Sequence, residues 1–422
     1  MAARRKRKRK QKKRRQLNEE NGGEVVSVDW AGLPKGILEI IFERLSLFDC
    51  ISVSNVCKPW RNVFSRELSC WEGLGFPSLF MSGQKDRDKR LCISMLEKRA
   101  WEMEIPEARG KYCWGSYQDW FILVDDVGCA DDIKRYSLNI SLFNPFTRST
   151  INLPRTWDFY HNMVLSARPS LENCVCMLVH SKYQELAFWV PGAQSWNQYK
   201  VVGERPFEDA VFWNGSFYLL SKDNGIVQID AASVSAALSK DDSVVTFESE
   251  IKTEFHEVIM PESENHANDA VLRYLVESCG KILLICRHFS TLLETRNFKV
   301  YELDIGQMSW KRVESLGDRI LFLGKCSSRS FSAVELGVEM SNCIYFSNDK
   351  ADPSGNEWHY SHLKGMSACL GFNNSGRKHW GIFRLGNRKN IHFCFRGHRD
   401  IFGPIWFTAP LWWYCNNFFI NG

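Results

Sequence analysis

What this 422-residue chain lacks narrows its reading first. No run of about 18 uninterrupted apolar residues occurs, so no helix of bilayer-crossing length is expected. The N-terminus carries no apolar core of a secretory signal, and a cytosolic or nuclear protein is the expectation. The 15 cysteines include no Cys-x-x-Cys, and Cys174 and Cys176 stand one residue apart, so zinc-ribbon and thioredoxin-like readings lack their ligand spacing. In a reducing compartment these cysteines stay thiols and read as small buried hydrophobes. Gly-x-Ser-x-Gly, a phosphate-cradling glycine loop followed by Lys, and His-Glu-x-x-His are all missing. His359 and His362, in "WHYSH", have no third metal ligand nearby, and Asp125, Asp126, Asp131 and Asp132 do not have the spacing of an EF-hand. Both groups read as polar loops. No catalytic residue, metal or cofactor is expected from the sequence.

Acidic side chains are absent from one segment, "RRKRKRKQKKRR". Arg4, Arg5, Lys6, Arg7, Lys8, Arg9, Lys10, Lys12, Lys13, Arg14 and Arg15 are eleven of the chain's 54 basic residues. The remaining 43 face 49 acidic residues, so the formal +5 comes from the arm and the rest of the chain is negative. A block of like charge repels itself and buries no apolar area, so residues 1–24 read as a disordered arm. Its functional readings are a nuclear import signal or a sequence-independent contact with nucleic-acid phosphates. Residues 4–15 contain no Ser and no apolar face, which argues against a mitochondrial transit peptide.

Apolar residues are concentrated in residues 29–68. Leu38, Ile41, Phe42 and Leu45 fall at i, i+3, i+4 and i+7, one stripe of a helix, and Ile37 and Ile40 begin a second stripe. Pro34 suits the first turn, where its missing N–H is not needed. A short second helix should begin at Asp49 and carry Ile51, Val53 and Val56, and a third should carry Trp60, Val63 and Phe64 after Pro59. Three such helices make a unit near the lower size limit for independent folding. One stripe can close its core. The other needs either the following domain or a partner protein.

The stretch "LPKGILEIIFERLSLFDCISVSNVCKPWRNV" resembles the F-box, whose pattern opens with Leu-Pro, continues through an apolar helix ending in Leu, and closes with Val-Cys-Lys-x-Trp-Arg. Leu33, Pro34, Ile37, Leu38, Ile41, Leu45, Val56, Cys57 and Trp60 stand where that pattern has them. The resemblance implies docking on a Skp-type adaptor and, through it, on a cullin, with these nine residues at or beside the contact.

Residues 69–109 are expected to form a helical connector, its best helix being "DKRLCISMLEKRAWEM" from Asp88 to Met103. From 110 to 419 the pattern changes to short strand-like runs bounded by Gly, Asn, Asp or Pro. Turn residues Asn144, Pro191, Asp230, Asp304, Asn348 and Asn387 are spaced by 47, 39, 74, 44 and 39 residues. Four of those intervals suit four-stranded propeller blades, giving a β-propeller of six or seven blades; a pair of β-sandwiches is the alternative. The 74-residue interval could hold a degenerate blade around "SVVTFESEIKTEF" or a long loop such as "MPESENHANDA". The apolar tail "IFGPIWFTAPLWWYCNNFF" reads as a ring-closing strand or a plug, with a substrate cradle of Trp406, Trp412 and Trp413 as the other option.

"QDWFILVDD" with "SLFNPFTRSTINLP", and "LGDRILFLGKCSSRSFSAVE" with "NCIYFSND", resemble the plant F-box proteins that carry a KIB-type, kelch-like β-propeller. The resemblance implies a non-catalytic substrate receptor of a Skp–cullin–F-box ubiquitin ligase, with an unknown target protein on the propeller. A nuclear scaffold or nucleic-acid-associated protein that uses the basic arm is the reading from another class. A propeller enzyme is a third. Localisation to the nucleus, with some cytoplasmic residence, and no membrane partner are the remaining expectations.

Overall fold

The computed structural model describes residues 29–45, 53, 56–67, 75–81, 88–94, 99–126, 138–156, 160–180, 185–201, 206–222, 225–239, 251–258, 271–289, 295–324, 326–347, 380–393 and 405–410. The basic arm, the start of the second predicted helix, Asp131, Asp132, His359, His362, Trp412 and Trp413 lie outside the described residues.

A 3-10 turn (Trp30–Gly32) precedes α1 (Lys35–Glu43), and α2 (Lys58–Glu67) follows. Proline is tolerated at both starts because the first turn of a helix leaves its N–H groups without intrahelical acceptors. The Asp29 carboxylate accepts from Ala31 N at 3.1 Å, and the Trp60 indole donates to Trp30 O at 2.7 Å, which ties the turn to α2. The i, i+4 pair Lys35–Glu39 closes at 2.9 Å on the surface.

The rest is six sheets. Strands Tyr112–Tyr117, Tyr160–Leu165, Phe207–Trp213 and Val271–Ser278 begin blades 2, 3, 4 and 5, each of four antiparallel strands in sequence order. These first strands pack against one another around the axis. Blade 6 has five strands. Its inner strand Arg329–Ser332 pairs with Arg319–Leu323, which runs parallel to Cys343–Phe346 before Trp380–Arg384 and Lys389–Phe393. Blade 1 joins the two ends of the chain. The C-terminal strand Ile405–Pro410 lies antiparallel on Gly75–Phe80, with Gly75 opposite Pro410 and Phe80 opposite Ile405. Lys89–Ser94 and Arg99–Glu104 complete that sheet. Trp406 is 2% exposed and its indole donates to Leu323 O at 2.8 Å, so it belongs to the closing strand and does not form part of a cradle.

Two expectations are corrected. Residues 69–109 are not a helical connector, because strands occupy Gly75–Phe80, Lys89–Ser94 and Arg99–Glu104. Lys, Arg, Leu, Met and Glu favour helix as single residues. Here Cys92, Ile93 and Ser94 are consecutively buried as in a strand covered on both faces, and that tertiary setting overrides the local preference. The turn anchors also counted blades unevenly. Residues 348 and 387 flank strands of one blade, while blade 1 had no anchor. The long 74-residue interval holds no additional blade among the described residues: α3 (Ala231–Leu238) fills part of it, and Thr253–His256 is the outer strand of blade 4.

Cores form between neighbouring sheets. Phe188 and Phe217 meet between blades 3 and 4, and Phe298 packs on Phe346 and Phe383 between blades 5 and 6. Polar bridges also cross the blades. Asp209 of blade 4 accepts from Asn162 of blade 3 at 2.6 Å and from Leu275 N of blade 5 at 2.7 Å. The motif "NPFTR" is a brace. Asn144 Oδ1 accepts from the amides of Phe146 and Thr147, both at 3.0 Å, and its Nδ2 donates to Asp119 at 2.8 Å. Turned outward by a left-handed backbone (φ 61°), Arg148 pairs with Glu107 at 2.8 Å and donates to Glu104 O at 2.7 Å, joining blade 2 to blade 1.

Candidate functional site

The helical unit divides its apolar residues as its phase predicts. Leu38 is 1% exposed, and Phe42, Trp60 and Val63 are buried with it. They form one continuous apolar cluster with Leu79, Cys92 and Met103 of blade 1. Leu33, Ile41, Leu45, Val53 and Cys57 pack partly buried against that cluster. The second stripe is left bare: Ile37 and Ile40 are each 47% exposed, with Pro34 exposed beside them. Val56 is 65% exposed and Trp30 is 61% exposed.

The nine residues of the F-box-like pattern therefore separate into three groups. Leu38 and Trp60 are interior, Leu33, Ile41, Leu45 and Cys57 are half-buried, and Pro34, Ile37 and Val56 face solvent. One stripe joins the core that runs into the propeller, and the second stripe is exposed. Ile40 and Trp30 belong to this exposed group but were not among the nine. The helical phase had put Ile40 in the second stripe, whereas nothing in the local pattern distinguishes Trp30.

The propeller presents no comparable chemical centre among its described residues. No group of three or more His, Cys, Asp or Glu gathers there in a metal-holding arrangement. Two shallow surface pockets occur, one of about 420 Å³ beside Met340 and Arg384 and one of about 370 Å³ beside Tyr160 and Trp196. Neither lining includes His or Cys. Buried cysteines are held as thiols: burial pushes Cys174 up to about 11 and Cys343 up to about 12, and raises Cys92 and Cys176 as well. A thiol held that far above neutrality is a poor nucleophile.

A small helical unit with a bare apolar stripe, joined to a closed six-bladed ring, defines an F-box–propeller protein. The family comparisons divide the chain the same way: an F-box-like model matches residues 30–76 and the KIB1-4 beta-propeller model matches residues 92–383. The chain belongs to the KIB1-4 beta-propeller family. That match begins inside blade 1, in the segment whose pattern looked helical. The chain is similar to the Arabidopsis thaliana F-box protein At1g49360, 24% identical over 357 residues, which cover 78% of this chain and 63% of that one. It is also similar to the Arabidopsis F-box/kelch-repeat protein At1g57790, 22% identical over 342 residues, covering 75% and 82%. Arabidopsis F-box protein At3g56470 is 24% identical over 330 residues, covering 75% and 78%. Among solved structures, YCF48 from Cyanidioschyzon merolae superposes at a TM-score of 0.30 with 9% identity, covering 57% of this chain and 86% of that one.

Proposed function

We propose that this protein is a substrate receptor of a Skp–cullin–F-box ubiquitin ligase. The observation that carries the reading is the division of α1, in which Leu38 and Phe42 close the core while Ile37 and Ile40 stay in water. Exposed isoleucines at i and i+3 on a short helix are a cost to an isolated protein and suit an apolar partner. On this reading Pro34, Ile37, Ile40 and Val56 meet the Skp-type adaptor directly, and Leu38 and Trp60 hold the helices in the presenting geometry. The propeller captures the target and the adaptor brings the cullin. The chain makes and breaks no bond itself; its contribution is to raise the effective concentration of target lysines at the ubiquitin-conjugating enzyme. The basic arm, residues 4–15, directs the receptor to the nucleus.

Co-expression of the full chain with a Skp-type adaptor and a cullin tests the proposal. All three should co-purify, and Ile37→Asp with Ile40→Asp should abolish recovery while the propeller still melts cooperatively. Undiminished recovery with both aspartates in place, or no complex with the unaltered chain, overturns it.

A further inference from the structure

One mouth of the ring gathers side chains from five blades. Tyr117 ends the inner strand of blade 2 and Gln118 follows it, and Arg168 follows the inner strand of blade 3. Glu277 lies near the end of the inner strand of blade 5, Arg329 begins that of blade 6, and Thr408 lies on the closing strand of blade 1. Arg329 Nη1 donates to Thr408 Oγ1 at 3.0 Å, and its guanidinium sits 5.9 Å from the centre of the Tyr117 ring. Arg168 Nε donates to Gln118 Oε1 at 3.0 Å. Each arginine is thus fixed by a single neutral acceptor. Among the described residues neither makes an ion pair, and the Tyr117 hydroxyl makes no hydrogen bond.

Cys326, ahead of the inner strand of blade 6, reaches towards the opposite side of the ring. Cys326 O accepts from Ser116 N of blade 2 at 3.2 Å, and its Sγ lies 3.7 Å from His161 O of blade 3. The approach is close enough that a Cβ on Gly115 would fall 2.5 Å from Cys326 Cβ, so only glycine fits there. Arg329 is half-buried, while Arg168 is exposed.

We propose that Tyr117, Arg168 and Arg329 form a binding site for a carboxylate presented by an extended acidic peptide. Guanidinium forks accept carboxylates in a planar, two-point geometry, and a phenol hydroxyl beside them supplies a further donor. Burial lowers the Arg329 pKa and raises that of Tyr117, and both arginines act on the Tyr117 hydroxyl to oppose its rise. Asp119 and Glu277 lie within electrostatic reach of Arg329 and offset part of its field. That offset suits a single negative charge better than a dianionic phosphoryl group. A free small anion would bind such a half-exposed pair weakly in salt, so useful affinity needs the neighbouring contacts of a peptide chain. The site deepens the receptor reading by naming the target chemistry, and it can be tested without the adaptor.

Arginine modification by phenylglyoxal, read residue by residue by mass spectrometry on the full chain, keeps the basic arm from obscuring the result. Hexaglutamate should slow modification of Arg168 and Arg329 at least threefold while leaving exposed Arg155 and Arg388 unchanged, and hexaglutamine should protect neither. Arg168→Gln, a surface change, should remove the protection of Arg329. Equal modification with and without hexaglutamate overturns the site. Equal protection by inorganic phosphate at the same concentration overturns the peptide assignment in favour of a free anion. Failure of adaptor binding would leave all of these outcomes unchanged.

Discussion

Replacing Ile37 and Ile40 together by alanine separates docking from folding in the helical unit. Each side chain is 47% exposed, so about half of each is available to a partner. Full burial of an isoleucine contributes about 1.5–3 kcal/mol. The two exposed halves together therefore contribute roughly 1.5–3 kcal/mol, which corresponds to about 10- to 150-fold in the dissociation constant. Truncation at half-exposed positions leaves little cavity, so the melting temperature of the free chain should change little. Leu38→Ala is the counterpart. At 1% exposure it leaves a cavity in the core that runs into blade 1, at a cost of about 2–5 kcal/mol of stability. Titration calorimetry against a purified Skp-type adaptor, with thermal denaturation of each variant alone, measures both quantities. Adaptor affinity for the double variant within twofold of the parent would refute the division of α1 into a docking stripe and a core stripe. So would a Leu38→Ala chain that melts like the parent but binds less well than the double variant.

Three further outcomes follow from the ring and the arm. Trp406→Ala, at a position 2% exposed on the closing strand, should cost about 3–5 kcal/mol and leave the propeller readily cleaved in limited proteolysis; parental resistance would argue against closure through that strand. Buried Cys174 and Cys343 keep their protons to about 11 and about 12, whereas unfolded thiols release theirs near about 8.5. The folded state then binds more protons in that window, so stability should fall as pH rises from about 8.5 towards 11. Urea midpoints at pH 8 and pH 10 should show a smaller drop for Cys174→Ala than for the parent, and an equal drop would count against this linkage. Deleting residues 4–15 should move a fluorescent fusion of the full chain from nucleus to cytoplasm, and unchanged nuclear entry would remove the import role from the arm.

The parts of the fold legible in the sequence are those set by local periodicity. Helical phase separates Leu38 and Phe42 from Ile37 and Ile40, because residues three and four apart share a face. Strand runs with turn residues likewise marked blades 2 to 5. Blade 1 was hidden for a physical reason: its strand Gly75–Phe80 is paired with Ile405–Pro410 from the far end of the chain. No window-sized pattern records a contact of that span. The mouth of the ring was hidden in the same way. Tyr117, Arg168 and Arg329 carry no shared motif and converge only because the strands bearing them stand round one axis. "NPFTR" was visible as a turn, but its role as a brace between blades needed the reach of Arg148 to Glu107 and Glu104.

Pairing Gly75–Phe80 with Ile405–Pro410 also orders events at the ribosome. Blade 1 gains its innermost strand only when residues 405–410 emerge, about 330 residues after its first strand, or roughly 15–70 s at ordinary elongation rates. The helical unit, whose core is shared with that blade, has left the exit tunnel long before. An interrupted chain would therefore carry its exposed apolar stripe on an unclosed ring, and the aromatic residues that pack on Trp406 and Phe407 would stay open to chaperones and proteases.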